Sequence, residues 1–103
     1  MTDRIAQLER LVALDPTDSE CLYSLAFEHA KAGDHANAIA WYDKAIAAAP
    51  DFCYAYFHKA RSEQASGDTD AARRTLAAGL QRAETLGDAK AAGELAAELD
   101  AVS

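Results

Sequence analysis

The chain has 103 residues, half of them hydrophobic but many of these alanine, with only two prolines and five glycines; that balance points to a single all-α domain with a shallow, closely packed core. A formal net charge of −7 sets the surface against phosphate backbones and anionic bilayers, so neither nucleic acid nor membrane is an expected partner, and Arg73-Arg74 reads as a solvated helix face. Two cysteines without CxxC spacing, no apolar leader and no run of membrane-spanning length lead to the expectation of a cytoplasmic protein with free thiols.

Residues 1–16 open the chain with a polar start, Met1-Thr2-Asp3-Arg4, and then an apolar stripe of Ile5, Leu8, Leu11 and Val12. Arg4, Gln7, Glu9 and Arg10 occupy the other side, as an amphipathic helix requires. Asp15-Pro16 stops it. Thr17 followed by Glu20 has the capping-box spacing and predicts the next helix start. Leu22, Leu25, Ala26 and His29 then line one face at i, i+3, i+4 and i+7. Gly33-Asp34 ends that helix and caps another, which presents Ala38, Tyr42, Ala45 and Ile46 before Ala49-Pro50.

From Cys53 the same text is written again. Tyr56 and Ala60 precede Gly67-Asp68, and Ala72, Leu76, Gly79 and Leu80 follow it. The two prolines lie 34 residues apart, and so do Gly33 and Gly67. Glu84 stands where the first copy has Pro50, so this helix is expected to run on to about Leu86. Gly87-Asp88 starts a last helix with Leu95, Leu99 and Val102 on one side. Lys90, Glu94 and Glu98 form an i, i+4 ladder on the other side, suited to water.

This pattern resembles the tetratricopeptide repeat, a 34-residue helix-turn-helix. In residues 19–52, Leu22 stands where the family prefers tryptophan, Leu25 where it has leucine, Ala26 at its small position and His29 where it has tyrosine; Ala38, Tyr42, Ala45 and Pro50 fit its second helix. In residues 53–86, Tyr56, Ala60, Ala72 and Leu76 fit, while Lys59, Glu63 and Glu84 depart. The resemblance implies a short α-α superhelix of about six antiparallel helices. Two full repeats, 19–52 and 53–86, are flanked by a half-repeat helix in 1–16 and a capping helix at 88–102. The whole resembles small stand-alone bacterial repeat proteins and is expected to be a complete domain.

The resemblance further implies a concave groove lined by the first helix of each unit, receiving a peptide segment of a partner protein. Matching positions are Glu20, Tyr23, Phe27, Ala30 and Lys31, then Tyr54, Phe57, Arg61 and Gln64, with Lys90 or Ala91 from the last helix. Aromatic side chains beside an arginine have the composition of a binding hot spot. The alternative for the rings is packing under the capping helix. Members that hold chaperone C-terminal tails use lysines and asparagines on these helices; here Arg61 is the only well-placed cation, so an apolar segment with one acidic contact is expected instead. The rival function is structural, a homodimer or larger homo-oligomer joined through the groove or a cap.

No catalytic, cofactor or metal site is expected. His29, His35 and His58 fall on different elements, with no second ligand at helical spacing; His29 reads as a hydrogen-bonded core residue. Cys21 and Cys53 sit in first turns, where a helix dipole lowers a thiol pKa, but no histidine base accompanies either. The glycines punctuate helices and form no phosphate loop. The chain is expected to be a non-enzymatic scaffold.

Overall fold

Aspartates start four of the helices in the computed structural model, which describes residues 4–102. Met1–Asp3 and Ser103, the outermost residues of the two flanking segments, lie outside the described part. The elements are α1 (Arg4–Leu14), α2 (Ser19–Lys31), α3 (His35–Ala48), α4 (Cys53–Ala65), α5 (Thr69–Leu86) and α6 (Ala89–Ala101). Asp34, Asp68 and Asp88 each accept a hydrogen bond from the backbone amide three residues on, at 3.3, 3.0 and 3.1 Å. The preceding Gly33, Gly67 and Gly87 have φ of 83, 86 and 73°, a left-handed turn that a side chain resists. The start of α2 differs from the capping box: Asp18, not Thr17, accepts from the amides of Glu20 and Cys21 at 3.1 and 3.2 Å. Thr17 turns back and donates its hydroxyl to Asp15. A carboxylate one residue nearer the helix outcompetes the hydroxyl for the exposed amides.

Each helix packs antiparallel on its chain neighbours. In addition α4 touches both α2 and α6, whereas α1, α3 and α5 do not touch one another. The array therefore bends, with α2, α4 and α6 on its inner side, in a slab of 37 × 29 × 17 Å. Two layers of helices account for that thickness.

Small residues at the crossings allow the close stacking. Ala26, Ala38, Ala60 and Ala72 are all buried. At Gly79 an added Cβ would lie 2.7 Å from Cβ of Tyr56, so α5 approaches α4 as nearly as backbone permits. Leu22, Leu25 and Tyr42 fill the interior of the first repeat, Leu76 and Leu95 that of the second repeat and the last helix.

The polar ladder of α6 is not wholly turned to water. Glu98 reaches Arg61 at 3.8 Å, its side chain 23% exposed, and Glu94 bonds the Tyr54 hydroxyl. Ala91, expected on the groove, is buried in the core with Leu95 and Val102. Ala91 thus joins the core, while Glu94 and Glu98 reach Tyr54 and Arg61 of α4.

Candidate peptide groove

The inner face of α2 and α4 carries a cluster of rings centred on His58. Phe57, Tyr23, Phe27 and Tyr42 have ring centroids 5.4, 5.7, 5.7 and 6.4 Å from the imidazole. Tyr23 also meets Phe52 at 4.8 Å and Tyr42 at 5.8 Å. Helical spacing builds this: Tyr23 and Phe27 are one turn apart on α2, and Phe57 and Arg61 one turn apart on α4. Tilted and edge-on geometries dominate, as ring quadrupoles prefer.

Above the cluster lies an open depression of 220 Å³ lined by residues of α2, α3 and α4, among them Phe27, Lys31, Tyr42, His58 and Arg61. Phe27 remains 37% exposed, one of the few large apolar side chains to do so. Lys31 lies over the Phe27 ring at 5.5 Å and Arg61 over the Phe57 ring at 4.7 Å. Two cations therefore stand at the rim of an aromatic floor. His35 Nδ1 meets Ser62 Oγ at 3.2 Å at the far end.

Burial pushes the Tyr23 and Tyr42 hydroxyls up, in Tyr42 with a further push from Tyr23. Burial, aided by Arg61, pushes the His58 imidazolium down, so the centre of the cluster is neutral at physiological pH. Tyr54 is pushed up mainly by its bond to the Glu94 carboxylate.

Of the residues that the resemblance assigns to the groove, Tyr23, Phe27, Lys31, Phe57 and Arg61 come together here. Ala30 lines the depression beside them. Tyr54 turns aside to α6. Glu20, Gln64 and Lys90 are exposed and line no part of the depression. His58, Tyr42 and Phe52 were missed. His58 lies four residues after Tyr54 and three before Arg61, a helical spacing that places it on this face. Phe52 precedes its helix, and no periodicity marks it.

The remaining chemical candidates lie outside this cluster. His29 is largely buried, with Nδ1 3.8 Å from Asp34, beyond hydrogen-bond reach, and its Nε2 meets no partner among the described residues, so the expected core position holds and the expected hydrogen bond does not. Burial raises the thiol pKa of both Cys21 and Cys53, and neighbouring carboxylates, Asp18 for Cys21 and Asp88 for Cys53, add to it. Desolvation and like charge thus push both thiols away from the reactive thiolate form. Among the described residues, no helix is long and apolar enough to cross a membrane.

The tetratricopeptide repeat pattern matches residues 19–52. Residues 19–52 belong to that family. A tetratricopeptide repeat domain protein of Salinibacter ruber is similar in structure with a TM-score of 0.79 at 29% identity, over 86% of this chain and 90% of that one. The Yersinia enterocolitica type III secretion chaperone SycD, in complex with a peptide of the translocator YopD, gives 0.84 at 19% identity, over 95% and 76%. The TPR2B domain of yeast Sti1, in a complex with pHsp70, gives 0.87 at 24%, over 95% and 78%. At those identities the last two establish the solenoid fold. No curated protein matches the chain.

Proposed function

We propose that this protein is a non-catalytic interaction module, and that its inner face binds a peptide segment of a partner protein. The observation that carries this is Phe27, left 37% exposed over a 220 Å³ depression between Lys31 and Arg61. An apolar ring standing in solvent beside two cations suits a segment with one apolar side chain and a neighbouring carboxylate. The side chain enters over Phe27 and His58, and the carboxylate meets Lys31 and Arg61, displacing Glu98 from the latter. Complexes of this fold with peptides, such as that of SycD with a YopD peptide, support peptide binding in general by analogy of fold.

A random dodecapeptide display selection tests it, followed by fluorescence anisotropy of the enriched peptides. Enrichment of an apolar residue next to Asp or Glu is expected. Phe27→Ala and Arg61→Glu are each expected to weaken binding by about tenfold, or 1.4 kcal/mol. Peptides that bind both variants as they bind the wild type would place the site elsewhere.

A further inference from the structure

We infer that the two ends of the molecule are complementary, and that α1 of one copy docks on α6 of a second copy, joining copies head to tail. The observation is a pairing of sizes along the array. In each full repeat the fourth residue of the inner helix faces one residue of the outer helix, and one of the two is small. Leu22 shares a buried cluster with Ala45, and Tyr56 stands against Gly79.

The ends hold the two unpaired halves of this arrangement. The fourth residue of α6 is Ala92, which is small. The residue of α1 that corresponds to Ala45 and Gly79, 34 and 68 positions earlier, is Leu11, which is large and 46% exposed. Leu14, one turn on, is 83% exposed. At the other end, an open depression of 230 Å³ is formed by Ala83, Glu84, Gly87, Asp88, Ala89 and Ala92. Its volume accommodates a leucine side chain.

Placing α1 of a second copy against α6, as α3 lies against α2, sets Leu11 over Ala92. The antiparallel direction carries Leu14 towards Ala89 and the depression. Charge agrees with shape. Arg10 lines the same surface as Leu11 and Leu14, while Glu84 and Asp88 rim the depression. Opposite signs at the rims favour this orientation and disfavour α1 meeting α1. Because each copy offers one knob and one socket on different surfaces, the contact is heterologous and does not close on itself as a dimer. The inner groove continues from copy to copy.

Sedimentation velocity from about 10 μM to about 1 mM reads the outcome as mass against concentration. The wild type is expected to pass beyond two copies. Leu14→Asn and Ala89→Arg alter exposed positions at opposite ends without placing opposite charges face to face, and each alone is expected to stay monomeric. Mixed in equal amounts they are expected to form a dimer and stop there, since one supplies the knob and the other the socket. A wild type monomeric throughout overturns the inference. So does Ala89→Arg associating like the wild type, or a mixture of the two variants that fails to pair.

Discussion

The two full repeats share a backbone and differ in what they bury. In repeat 19–52, α2 and α3 enclose Leu22, Leu25 and Tyr42. In repeat 53–86 the positions of Leu25 and His29 hold Lys59 and Glu63, and that of Trp41 holds Thr75. Glu63 and Thr75 are each 7% exposed. Lys59 spans the repeats, reaching Asp43 of α3 at 2.7 Å and Glu63 at 4.0 Å. Glu63 Oε1 meets no partner among the described residues. The comparison teaches that a solenoid tolerates charge in its interior where the preceding repeat supplies the counter-charge. The first repeat is a hydrophobic unit; the second is completed electrostatically by its neighbour.

The largest test of that difference removes the shared cation. Lys59→Ala leaves Glu63 buried without its ion pair and is expected to cost about 3 kcal/mol in urea unfolding. Lys59→Leu with Glu63→Leu imports the apolar character of the first repeat and is expected to return to within about 1 kcal/mol of the wild type. If the double variant is as weak as the single one, the network is integral to the fold and not a replaceable substitute for packing.

A smaller effect tests the crossing. Gly79→Ala forces a methyl group against Tyr56 and is expected to cost about 2 kcal/mol. Adding Tyr56→Leu recreates the leucine–alanine pair of the first repeat and is expected to recover most of the loss. The order of the two repeats in size, large against small, would then be interchangeable.

The smallest effect concerns His58, which has no counterpart in the first repeat, where Ser24 stands. Its folded pKa lies below the ordinary 6.5 because burial and Arg61 disfavour the charged ring. The unfolded chain therefore takes up the proton first. The stability of the neutral ring is complete above pH 6.5 and falls as pH drops from there towards the folded value. Melting temperature is expected to fall by a few degrees over that interval. His58→Gln is expected to flatten this slope, and an unchanged slope would assign it to other groups.

Much of this architecture was legible in the residues. Gly33-Asp34 and Gly67-Asp68 recur at the repeat spacing, and each side chain acts within its own turn, so local chemistry sufficed to read them. That Phe27 and Arg61 come together on the inner face followed from the resemblance and helical spacing. Thr17 misled because two neighbouring residues competed for the same amides. Lys90, Glu94 and Glu98 read as a wet ladder because spacing gives the width of a face and not its direction.

The sequence by itself determined the helices, their punctuation and the repeat, because caps, left-handed glycines and apolar stripes are set within a few residues of chain. Only the tertiary structure decided which face α6 buries, the gathering of rings around His58 and the bridge from Lys59 to Asp43. These depend on which surfaces of separate helices meet, and stacking, curvature and burial settle that together across residues distant in the chain.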